Sequence, residues 1–140
     1  MAKNPIPVEI RILAKKHLVI VRRDRRNLAR NQGCCTVRNH IWLADFDSPT
    51  IELAAFFHEL GHILLYRTTK SDCMSILSRE GAAWELGFGV AKAEGYEWGY
   101  HSEAYTYGRE CLRSYVDGEY DDTKPRAALN RPSTSNVGPG

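Results

Sequence analysis

The pattern of apolar and polar positions divides the chain into a short amphipathic lead, a few β-branched runs and three longer segments at helical spacing. Ile10, Leu13, Ala14 and His17 recur at intervals of three and four, which predicts a short helix from Val8 to His17. Leu18-Val19-Ile20-Val21 is short and β-branched and predicts a strand. Asn31-Gln32-Gly33 marks a turn. Two further strand candidates follow, Cys34–Arg38 and His40–Ala44, split at Asn39. Together these runs predict a small antiparallel sheet of about three strands.

The longest apolar stretch runs from Ile51 through Phe56, Phe57 and Leu60 to Leu65. It is apolar on nearly every side of a helix, so that helix should be buried. Ser48 is a suitable N-cap and Pro49 a suitable first residue, placing the start near 49 and the end near Tyr66-Arg67. A second helix is predicted from Ser78 to about Glu94, with Glu80, Ala83, Trp84, Gly87, Val90 and Ala91 on one side. Gly87 and Gly89 lower its intrinsic propensity, which points to close packing as their purpose. Residues 95–101 read as a loop. A third helix is expected from Ser102, its cap, to Val116, with Ala104, Gly108, Cys111 and Tyr115 on one stripe. Asp117-Gly118 ends it. The fold class is therefore α+β: one domain over 1–120, then a polar, proline-containing tail over 121–140 that should be disordered.

Composition narrows the function classes. The chain has 140 residues, 43% hydrophobic and 26% charged, which suits an ordinary globular domain. A net charge of +2 is too small to imply a nucleic acid or a membrane as partner. The cluster Arg22-Arg23-Asp24-Arg25-Arg26, with Arg30, reads as a solvated turn, since no aromatic residue is interleaved to stack on bases. No apolar run reaches membrane-span length, and the first residues lack a signal-peptide core. Cys34, Cys35, Cys73 and Cys111 form no C-x-x-C pair, so reduced thiols in a cytoplasmic protein are expected.

Candidate chemistry sits inside the apolar stretch, as His58-Glu59-Leu60-Gly61-His62. Residues four apart share a helix face, so His58 and His62 can aim two imidazoles at one point. Two neutral nitrogen donors suit Zn²⁺, and Glu59 beside them can take a proton from a water held at the metal. Burying two histidines and a glutamate is costly without partners, and a metal satisfies both rings together. Catalytic zinc ordinarily takes three protein ligands. Asp72, Glu80, Glu85, Glu94 and His101 are the candidates for the third. Glu80 shares the apolar side of its helix with Ala83, Trp84 and Gly87, whereas Glu85 lies on a mixed stripe with Phe88 and Lys92. A ligand must face inward, which favours Glu80, and His101 comes next. Tyr100 and His101 are candidate donors to a developing oxyanion. The strand at His40–Ala44 is a candidate edge for an extended peptide.

His58-Glu59-Leu60-Gly61-His62-Ile63-Leu64-Leu65, followed by Glu80-x-x-Ala83-Trp84, resembles the ImmA/IrrE-type zinc metallopeptidases, a gluzincin-like family. The resemblance covers about residues 37–92. It implies a compact minimal zincin, with a small sheet beside an active-site helix and a glutamate helix. It also implies His58, His62 and Glu80 as zinc ligands and Glu59 as catalytic base. The implied substrate is a protein or peptide, such as a regulator. Two features depart from the family pattern: Trp84 stands where Asn or Asp is common, and the gap between the motifs is short. The competing expectation is a metal-stabilised binding or regulatory module, of phage or mobile-element origin, that turns nothing over.

Overall fold

The apolar stretch forms the most buried segment of the protein. In a computed structural model that describes residues 5–23, 32–35, 38–69 and 74–116, every residue from Glu52 to Gly61 is buried. These residues lie on α2, Pro49–Thr69. Around it stand α1 (Val8–Lys16), β1 (Ile20–Arg23), β2 (Gln32–Cys35), β3 (His40–Leu43), α3 (Ile76–Ala93) and α4 (Glu103–Val116). The class is α+β and mostly helical.

The caps act where the sequence places them. Ser48 Oγ accepts a hydrogen bond from the Ile51 N–H at 3.2 Å, and Ser102 Oγ accepts one from Tyr105. Ser48→Ala should lower stability by about 1 kcal/mol in chemical denaturation, with an unchanged denaturant slope. α3 starts two residues before Ser78, because Ser75 is the residue whose hydroxyl accepts from the third N–H. α2 runs on past Arg67, with the Thr68 hydroxyl donating back to the Leu64 carbonyl at 3.1 Å.

The sheet departs from expectation. Its strand order is β1-β3-β2, with β2 antiparallel to β3 but β1 parallel to it, so the wholly antiparallel sheet is corrected to a mixed one. Burial explains the order. Ile41 and Leu43 on β3 are completely buried, whereas Ile20 on β1 is half exposed. The most apolar strand therefore takes the centre and the more polar one an edge. With neighbours on both sides, β3 has no edge left for a peptide, contrary to the reading of His40–Ala44.

β1 begins two residues later than the run Leu18–Val21 suggests. The chain leaves α1 through Leu18 at φ 61°, a left-handed turn in which the Val19 N–H returns to the Ala14 carbonyl. Arg38 lies with Asn39 in the turn before β3 rather than in the preceding strand, and Asn39 at φ 57° supplies its left-handed position, while residues 36–37 lie outside the described residues. The basic run is not uniformly solvated either. Arg22 is exposed, but Arg23 turns inward to an ion pair with Glu52 and donates to the carbonyls of Ala44 and Pro5. Burial pushes the Glu52 carboxyl up, and Arg23 draws it back only in part. Residues 24–30, Asp72, Cys73, Asp117-Gly118 and the tail over 121–140 lie outside the described residues.

The core is continuous. Ile10, Leu13 and Ala14 from α1, Ile41 and Leu43 from β3, Phe56, Phe57, Leu60 and Ile63 from α2, Trp84 and Ala91 from α3, and Ala104 and Tyr107 from α4 belong to one cluster. Among the described residues no helix is long and apolar enough to cross a membrane.

Candidate metal centre

The site is made by the crossing of α2 and α3. Two glycines let the helices meet backbone to backbone. A Cβ on Gly61 would lie 2.0 Å from the Ala83 carbonyl oxygen, and one on Gly87 would lie 2.1 Å from that of Phe57. Neither position has room for a methyl group. Gly87 thus has the packing role its low propensity suggests, while Gly89 faces open space and does not.

This close approach brings Glu80, one turn into α3, over the histidine face of α2. His58 Nε2 lies 3.1 Å from Glu80 Oε1, and His62 Nε2 lies 3.1 Å from Glu80 Oε2. Ligand atoms of the three residues all fall within 4.8 Å of one another. The imidazoles face each other nearly edge-on, with centroids 4.6 Å apart. Glu59 lies to one side, its Oε2 3.8 Å from His58 Nε2. Of the four side chains, His62 is the most open at 12% exposure, and Glu59 is only 2% exposed.

Electrostatics single out Glu80. Burial alone would raise its carboxyl, but the imidazoles of His58 and His62 outweigh that and hold it well below the ordinary carboxylate range. Beyond its close contact with the His58 ring, the buried Glu80 Oε1 has no partner among the described residues. Glu59 Oε2 is likewise buried and unpartnered. Unpaired acceptors at this depth are expensive. Two ring nitrogens and a carboxylate converging on one point are the donor set that suits a zinc ion, so the residues fit that group.

The other candidates lie elsewhere. Glu85 is exposed on α3. Glu94 reaches away to Lys16 and His17 of α1. Tyr100 and His101 are exposed and stand edge to face with each other, and the Arg109 guanidinium sits 4.1 Å over the Tyr100 ring. They are not in the His58–His62–Glu80 group, and the described contacts give them no link to it.

Two further side chains stand beside the group, Trp84 from the second motif and Tyr107, to which no motif points. Trp84 lies flat on the His58 ring, with centroids 4.1 Å apart and planes at 23°. Tyr107 stands edge-on to Trp84, and burial pushes its phenol well above the usual value, helped by its contact with Cys111 and the charge of Glu59. Burial first, and then the charges of Glu80 and Glu59, push the Cys111 thiol up to about 12. A raised thiol leaves little of the reactive thiolate at neutral pH. The signal for Tyr107 was in the sequence: it falls three after Ala104 and four before Cys111, on one helical stripe.

No family model, curated protein or solved structure matches the chain.

Proposed function

We propose that the protein is a zinc-dependent metallopeptidase that hydrolyses peptide bonds of a protein substrate. The observation that carries this reading is the convergence of His58, His62 and Glu80 within 4.8 Å, deep in the α2–α3 crossing, with Glu59 alongside. The resemblance of His58–Leu65 and Glu80–Trp84 to the ImmA/IrrE-type peptidases supports the same assignment.

In this reading His58, His62 and Glu80 hold the ion. Bound zinc supplies Lewis acidity, polarising the scissile carbonyl and making a neighbouring water more acidic. Glu59 takes the proton of the attacking water and delivers it to the leaving amine. Its burial suits that task, because Oε2, with no competing hydrogen bond among the described residues, is free to accept the proton. The part-exposed His62 marks the side from which substrate arrives. An extended peptide would align on the outer edge of β2, a strand that packs against α2 and pairs only with β3 among the described residues.

The test is cleavage of a peptide library by the full chain. Hydrolysis should stop when a chelator removes zinc and return when zinc is restored. Cleavage that persists in the chelated protein contradicts the reading. Metal uptake with no cleavage of any peptide favours the non-catalytic binding module.

A further inference from the structure

A zinc-binding histidine nearly always donates the N–H of its second ring nitrogen to a carboxylate, a carbonyl or water, which fixes the ring's tautomer and orientation. His58 breaks that pattern. Its Nε2 faces Glu80, and its Nδ1 is buried with no hydrogen-bond partner among the described residues. What meets this ring instead is the flat face of Trp84, one turn beyond Glu80 on the same helix.

The indole is itself held by packing alone. Phe88 and Tyr107 meet it edge-on at 5.3 and 5.8 Å. On α4, Gly108 leaves the room it occupies: a Cβ there would lie 3.1 Å from Trp84 Cε3. Trp84 Nε1 is buried and has no hydrogen-bond partner among the described residues. Apart from the contact of His58 Nε2 with Glu80, no hydrogen bond among the described residues orients either ring, so the placement of the Nδ1 side of the imidazole against the indole rests on shape and stacking.

We propose that Trp84 is the positioning residue of the site, its indole fixing the His58 imidazole by stacking where a hydrogen bond at Nδ1 would otherwise do so. The metal half of this inference rests on the zinc reading above; the placement of the ring does not. The α3 helix then supplies both the third donor, Glu80, and the support for the first, His58, from side chains four residues apart. The α4 helix takes part in the site indirectly, since Gly108 and Tyr107 set where the indole lies. Only the aromatic face is needed, because the indole N–H makes no hydrogen bond among the described residues.

The experiment compares the full-length wild type with Trp84→Phe and Trp84→Leu in two arms. Proton NMR of the metal-free protein reads the ring placement. The His58 ring protons should lie upfield in the wild type and in Trp84→Phe, and move to ordinary positions in Trp84→Leu. Chelator competition reads the zinc affinity, which should stay within about threefold in Trp84→Phe and fall about 10- to 100-fold in Trp84→Leu. Thermal unfolding of the metal-free variants separates a folding defect from lost positioning: two variants of similar melting temperature should still differ in zinc affinity. Unchanged His58 resonances in Trp84→Leu overturn the proposal, and so does a Trp84→Phe variant that behaves like Trp84→Leu. A wild type that takes up no zinc contradicts the metal reading alone, and the NMR arm then decides the role of Trp84.

Discussion

Gly87→Ala is expected to destabilise the protein by about 3 kcal/mol, the upper part of the range for overpacking a tight interior. The added methyl would sit 2.1 Å from the Phe57 carbonyl oxygen and 3.3 Å from the His58 nitrogen. Both are helix backbone, so no side chain can swing away to make room. The helices must separate, and Glu80 lies two turns from the obstruction on the same rigid α3. The loss of stability should therefore come with weaker metal binding. Gly89→Ala is the control, because its Cβ meets nothing within 4 Å and the exchange should stabilise α3 by about 0.5–1 kcal/mol. Denaturant titration of the two variants reads opposite signs if the crossing is as close as described. Equal effects would mean the helices can part without cost.

Glu59→Gln is expected to lower peptide hydrolysis by about 10²- to 10⁴-fold, the usual worth of general acid–base catalysis, and to leave zinc content unchanged. The two side chains have nearly the same shape, so the buried position keeps its packing. Gln cannot accept the proton that the reaction must remove. Glu59 stands outside the group of three donors, which is why binding and turnover should separate here. Because the exchange removes a buried charge, folding stability should not suffer as it would from an ordinary core polar substitution. The variant should fail in kcat rather than in expression or metal loading. Cleavage at the wild-type rate would remove Glu59 from the reaction.

How far these features could be read from the chain depends on how local their causes are. The α2, α3 and α4 helices were legible because apolar spacing and cap chemistry act within a turn or two. The choice of Glu80 over Glu85 as the inward-facing residue followed from the same periodicity, and the structure buries the first and exposes the second. The strand order was not legible. Three strands of four residues carry little pattern, and the place of β3 at the centre comes from burying Ile41 and Leu43 against helices that follow it in sequence. Gly61 looks like an ordinary motif residue until α3 is laid across it, when the Ala83 carbonyl proves to occupy the place of a side chain. Tyr100 and His101 suggested themselves by residue type alone, and residue type says nothing about where a loop points. Trp84 was legible as an inward-facing residue on the side of Glu80 and as a departure from a family pattern; its stacking on His58 needed both helices in place.

The central claim is that His58, His62 and Glu80 together hold one zinc ion. The measurement that tests it most directly is zinc per chain, by elemental analysis, in the wild type, Glu80→Ala and Glu85→Ala, each equilibrated with zinc and freed of excess. About one zinc per chain is expected in the wild type and in Glu85→Ala, where the exposed carboxylate has no part in the group. Glu80→Ala should lose most of its metal, as the third donor is gone. A wild type without zinc, or a Glu80→Ala variant that keeps it while Glu85→Ala does not, would contradict the account.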